Sequence, residues 1–63
     1  MPILDVTLLA GRTPEKKNAL IRELTDAAVR ALDVPPQSVR VLLREIDHEH
    51  FAVGGVTKAE SAK

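Results

Sequence analysis

The chain has 63 residues, no cysteine and a formal net charge of zero, with 44% apolar and 29% charged residues. One domain is the most this length supports, and it would hide only about 60% of the surface its unfolded chain exposes, so without disulfides or a structural zinc set self-association is the expected source of stability. Disorder, a basic nucleic-acid footprint, a membrane helix and a signal peptide all lack their compositional signatures, which predicts a cytoplasmic protein with no nucleic acid and no membrane among its partners.

From Pro2 to Leu9 the even positions Leu4, Val6 and Leu8 are apolar, while Asp5 and Thr7 interrupt the odd ones. This is the alternation of a strand with one core face. Ala10-Gly11-Arg12 turns the chain, and Thr13-Pro14 supplies an N-cap hydroxyl followed by proline at the first helical position. Leu20, Ile21, Leu24, Ala27, Ala28, Ala31 and Leu32 then recur at the spacing of one helical stripe, which predicts a helix over 14–32. Lys16, Lys17, Arg22, Glu23, Asp26 and Arg30 fall off that stripe and read as a solvated face, Asp26 and Arg30 forming an i, i+4 pair.

Asp33-Val34-Pro35-Pro36 ends the helix, because proline disfavours helical geometry in the residue before it. Val39 to Ile46 is rich in branched residues, with Val39, Val41 and Leu43 on one side and Leu42 and Ile46 on the other. Such a strand is normally covered on both faces. After Asp47-His48-Glu49-His50, the segment Phe51 to Val56 reads as a short hairpin or bulged strand around Gly54 and Gly55. Thr57 to Lys63 is polar and reads as a loose tail or an arm reaching a neighbour.

The fold class that follows is α/β: a single β-α-β unit with parallel strands and a right-handed crossover, plus a short C-terminal hairpin. Residues 1–63 are expected to form one domain, with 57–63 as its tail. Two strands and one helix leave one sheet face open, so the unit is expected to assemble as an oligomer.

Composition and spacing point to no nucleophile and no phosphate-binding glycine loop. The unusual feature is Pro2. Loss of Met1 would make it a terminal secondary amine, and an apolar pocket or neighbouring arginines would lower its pKa from the ordinary α-amino value, keeping the base neutral near pH 7. The same dipeptide also suits the plain start of a strand.

Pro2-Ile3 opening a strand, Gly11-Arg12 ending it, Ser38-Val39-Arg40-Val41 beginning the second strand and His50-Phe51 followed by Gly54-Gly55 together resemble the 4-oxalocrotonate (2-hydroxymuconate) tautomerase family. The resemblance spans nearly the whole chain. It implies an isomerase with no cofactor and no metal, in which Pro2 is the catalytic base and acid. It further implies that Arg12 binds the remote substrate carboxylate, and that Arg40 comes from a different subunit to act on the 2-oxo oxygen and adjacent carboxylate. Phe51 would be an apolar wall and Leu9 part of the substrate-binding surface. Guanidinium forks suit carboxylates, and fixed cations beside a developing enolate favour the transition state. A homohexamer built as a trimer of dimers is implied as well, with a small enol or 2-oxo acid as substrate in aromatic degradation.

Structural readings stand beside these roles: Arg12 as a surface turn residue, Arg40 as an ion-pair partner of Glu45 or Asp5, and Phe51 as interface packing. Related haloacrylate dehalogenases carry an arginine at the position of Leu9 and a water-activating glutamate at that of Val53, and this chain has neither. Ala52 replaces a usual glycine, and the tail lacks an arginine often found there. His48 and His50 flank Glu49, but two alternate histidines fall short of a ligand set. The rival functions are a noncatalytic assembly module of the same fold and a ribbon-helix-helix DNA-binding dimer, which would need a second long helix and a basic strand.

Overall fold

A computed structural model describes residues 1–61 of the chain. Ala62 and Lys63, the end of the segment read as a tail, lie outside the described residues. Strand β1 is Ile3–Leu9, helix α1 Pro14–Leu32 and strand β2 Arg40–Ile46. Two short strands, β3 (Ala52–Val53) and β4 (Val56–Thr57), and a helical turn, α2 (Lys58–Ser61), follow, with 3-10 turns at Pro36–Ser38 and His48–His50. β1 and β2 pair in parallel from Ile3↔Arg40 to Leu9↔Ile46, and β3 and β4 pair antiparallel. The strand–helix–strand unit with a C-terminal hairpin is the architecture that the apolar pattern predicts.

Both strands start one residue later than their patterns suggest, for reasons of hydrogen bonding. Pro2 has no N–H to donate and meets the ladder only through its carbonyl, which accepts from Arg40 N–H at 3.0 Å. Val39 spends its N–H on the Pro36 carbonyl at 3.1 Å, closing the 3-10 turn, so the ladder begins at Arg40. At the start of α1 the Thr13 side chain accepts from Lys16 N–H at 3.2 Å, with Pro14 behind it. The helix stops at Asp33, in the left-handed conformation at φ 54°.

Helix α1 lies over the sheet face that carries Leu4, Val6 and Leu8 with Val41 and Leu43, all of them half-buried. Lys17 reaches across from the helix to Glu45 on β2 at 3.1 Å. It therefore belongs to the packed side rather than the solvated one. Thr25 and Val29 are also half-buried, and Thr25 can be so because its hydroxyl donates to the Ile21 carbonyl at 2.8 Å. Ala27, Ala31 and Leu32, which the stripe places on the packed side, are exposed. A helix of 19 residues is about 28 Å long. A strand of seven residues spans about 23 Å, so the last helical turn overhangs the sheet. Asp26 and Arg30 form no ion pair among the described residues. Exposed pairs gain too little to hold two long side chains in register.

The opposite sheet face has no cover among the described residues. It presents Ile3, 64% exposed, and Leu42, 47% exposed, around an ion pair in which Arg44 donates to both Asp5 oxygens at 3.0 and 2.9 Å. No side chain among the described residues is fully buried. The chain exposes 4860 Å² for 6.9 kDa, against about 4000 Å² for a compact monomer of that mass. The difference is close to the ~800 Å² one partner contributes to a standard interface. Among the described residues no helix is long and apolar enough to cross a membrane.

Asp33 combines a left-handed backbone with a negative charge at a helix C-terminus, both unfavourable. Asp33→Gly should therefore raise stability by about 0.5–1 kcal/mol. Urea unfolding at fixed protomer concentration measures it, and a lowered midpoint would refute the assignment of strain.

Candidate active site

The parallel register separates the candidate residues into two groups. At the N-terminal end of the sheet, Pro2 and Arg40 are backbone neighbours through the 3.0 Å bond between them. Arg40 is opposite Ile3 and shares its open face, whereas Pro2, one residue earlier, falls on the helix side. Pro2 is half-buried and Met1 before it is 78% exposed. The Arg40 guanidinium donates from Nη1 to the Gln37 carbonyl at 2.6 Å.

Arg12, Leu9 and the start of the segment leading to Phe51 lie at the other end. Ladder pairing continues to Ala10, whose N–H donates to the Ile46 carbonyl at 2.9 Å. Gly11, at φ 124°, then turns the chain into Arg12. Leu9 is half-buried, and Arg12 reaches back to the Leu9 carbonyl at 3.5 Å. Six strand steps set Ile3 about 20 Å from Leu9, so Pro2 and Arg12, which flank β1, stand at opposite ends of it. The described residues of a single chain enclose no cavity.

Phe51, 41% exposed, follows the 3-10 turn and precedes the hairpin. Gly54 and Gly55 have φ 61° and 83°, the two left-handed positions of a tight two-residue hairpin loop. The hairpin returns the chain so that Lys58 N–H donates to the Phe51 carbonyl at 2.8 Å. Val53 on the hairpin is 71% exposed.

The charges sort themselves differently from the interstrand reading of Arg40. Asp5 is taken by Arg44 and Glu45 by Lys17, so neither pairs with Arg40. Hydrogen bonding to Asp5, and then its charge, push the Arg44 guanidinium above its ordinary pKa. Among the described residues Arg12 and Arg40 have no carboxylate within ion-pair distance. Arg44 was not singled out by sequence, because its partner lies 39 residues away. The same holds for His48, whose Nε2 meets the Ala10 carbonyl at 2.9 Å across 38 residues.

The family model for tautomerase enzymes matches residues 2–61, nearly the whole chain. The chain belongs to that family. This tautomerase is 48% identical over 63 residues to a 2-hydroxymuconate tautomerase of Stutzerimonas stutzeri, covering 100% of this chain and 94% of the relative. Among solved structures it is similar to a 4-oxalocrotonate tautomerase isozyme from Methylibium petroleiphilum, with TM-score 0.91 and 46% identity over 97% of this chain and 95% of the other. A heterohexameric 4-oxalocrotonate tautomerase from Chloroflexus aurantiacus gives TM-score 0.89 and 43% identity over 95% and 97% of the two chains. The tautomerase is accordingly an isomerase.

No atom stands within 4 Å of a Cβ added at Gly54 or Gly55, so alanine there meets only backbone strain. Gly54→Ala and Gly55→Ala should each weaken the hairpin by roughly 1–2 kcal/mol. Hydrogen exchange of the Lys58 amide reads this directly, and unchanged exchange in both variants would contradict it.

Proposed function

We propose that this tautomerase is a cytoplasmic, cofactor-independent keto–enol isomerase of small 2-hydroxydienoate or enol acids such as 2-hydroxymuconate, with Pro2 as base and acid once Met1 is removed. The observation that carries this reading is how Pro2 meets the sheet. Its carbonyl is held by Arg40 N–H, while its nitrogen takes no part in the ladder. Exposed Met1 can therefore leave without breaking a strand hydrogen bond, and the nitrogen of half-buried Pro2 becomes a secondary amine. Burial, and guanidinium groups brought by a neighbouring copy, disfavour the charged form of such an amine.

Neutral Pro2 takes the proton of the substrate hydroxyl as electron density moves toward the far carbon, and the resulting ammonium returns a proton to that carbon. The proton balance closes between substrate and amine, so the step requires no cofactor. Arg40 stabilises the charge that develops on the 2-oxo oxygen, and Arg12 holds the remote carboxylate. Phe51 keeps water from the amine, and Leu9 adds to the substrate-binding surface.

The separation of Pro2 from Arg12 within one chain supports a site shared between copies, since a small diacid is far shorter than β1. Arg40 shares the open face with Ile3 rather than the side of Pro2, which supports its acting in a neighbour's site. The uncovered face with Ile3 and Leu42 supports the assembly itself. A homohexamer, a trimer of dimers, is the assembly proposed.

Protein that keeps Met1, identified by intact mass, has an amide at Pro2. It should isomerise 2-hydroxymuconate about 10²–10⁴-fold more slowly than processed protein of the same assembly mass. Equal rates would end the role given to Pro2, and a processed hexamer inactive on both 2-hydroxymuconate and phenylenolpyruvate would end the reading as a whole. Arg12→Ala should raise KM for 2-hydroxymuconate by about 10–100-fold, the loss of a charged hydrogen-bonded contact. For phenylenolpyruvate, which has no second carboxylate, KM should hardly change.

A further inference from the structure

The turn that carries Arg12 is pinned at both ends. Upstream, Ala10 N–H is the last rung beside β1, donating to the Ile46 carbonyl at 2.9 Å. Downstream, Thr13 is locked into the start of α1, its hydroxyl accepting from Lys16 N–H and its carbonyl from Lys17 N–H at 3.1 Å. Only Gly11 and Arg12 lie between. Gly11, at φ 124°, is the residue type with the most backbone freedom, so the direction of Arg12 depends on how firmly Ala10 is held.

The Ala10 carbonyl points beyond the ladder and is met by His48 Nε2 at 2.9 Å. A carbonyl oxygen can only accept, so Nε2 carries the hydrogen. His48 is itself well placed to hold still. It opens the 3-10 turn closed by His50 N–H donating to the Asp47 carbonyl at 2.9 Å, and that turn leads directly to Phe51. One imidazole thus ties the Arg12 turn to the segment bearing Phe51.

We propose that His48 is a positioning residue for Arg12: its Nε2–H holds the Ala10 carbonyl and so fixes the direction in which the turn presents the guanidinium to a substrate carboxylate. The proposal rests on the reading of Arg12 as the ligand of the remote carboxylate. His48 touches no substrate in this scheme. Its effect passes through the peptide of Ala10 and the one flexible glycine that follows.

The test compares His48→Leu, which removes the donor, with His48→Gln, whose side-chain N–H₂ can reach the same carbonyl, using processed protein in its natural assembly. His48→Leu should raise KM for 2-hydroxymuconate by about 5–10-fold with kcat nearly unchanged, and leave KM for phenylenolpyruvate alone. His48→Gln should restore the wild-type KM. NMR order parameters of the Gly11 and Arg12 amides should fall in His48→Leu and recover in His48→Gln. An equal rise in KM for both substrates, a loss confined to kcat, or no rescue by glutamine would overturn the proposal. Arg12→Ala run alongside separates the two readings. If it leaves KM for 2-hydroxymuconate unchanged, Arg12 is not the carboxylate ligand, and the clamp is judged on the amides alone: lowered order parameters in His48→Leu sustain it, unchanged ones overturn it.

Discussion

Everything in this small fold depends on a parallel pair of strands that has a helix for only one of its two faces. The ladder from Ile3↔Arg40 to Leu9↔Ile46 fixes which side chains point at α1 and which do not. Leu4, Val6, Leu8, Val41 and Leu43 use up what the helix can cover. What remains, Ile3 and Leu42 among charged and polar neighbours, is a surface that the chain cannot hide by itself. That no side chain among the described residues is fully buried follows from this single deficit, as does the excess of exposed area. A domain of this size gains its missing burial most simply from another copy of itself.

The same ladder separates the chemistry. Parallel strands start at one edge and finish at the other, so a residue preceding β1 and one following it stand a full strand length apart. Pro2 and Arg12 are such a pair. The distance that keeps them apart within one chain is one that neighbouring copies can close, so on the proposed reading burial and catalysis have one common solution. The family's solved members include a six-chain assembly, and on the proposed reading the association that stabilises the fold would also complete the site.

Much of the fold was legible because it is written in local signals. Thr13-Pro14, the helical stripe and Pro35-Pro36 mark the bounds of α1, and the hairpin is marked by Gly54-Gly55. Alternation along β1 identified its packed face. The misjudged details all concern how elements meet. Lys17 looked solvated until Glu45 was brought beneath it, and Leu32 looked packed until the helix proved longer than the sheet. For the site, resemblance to a family singled out Pro2, Arg12 and Arg40, but nothing in their spacing says that Arg44 takes Asp5 or that His48 reaches Ala10. Those contacts join residues nearly 40 positions apart, and periodicity carries no information at that range.

The Asp5–Arg44 pair on the open face has a consequence for how that face can be covered. Both oxygens of the carboxylate are engaged by one guanidinium of the same chain, leaving the pair close to neutral beside Ile3 and Leu42. A partner laid over it has no opposite charge to supply and none to oppose. Ions in solution can weaken the pair only while it is open to them, because screening acts on exposed charges far more than on covered ones. Ionic strength therefore bears on the separated chains and their encounter, and much less on the contact once it has closed.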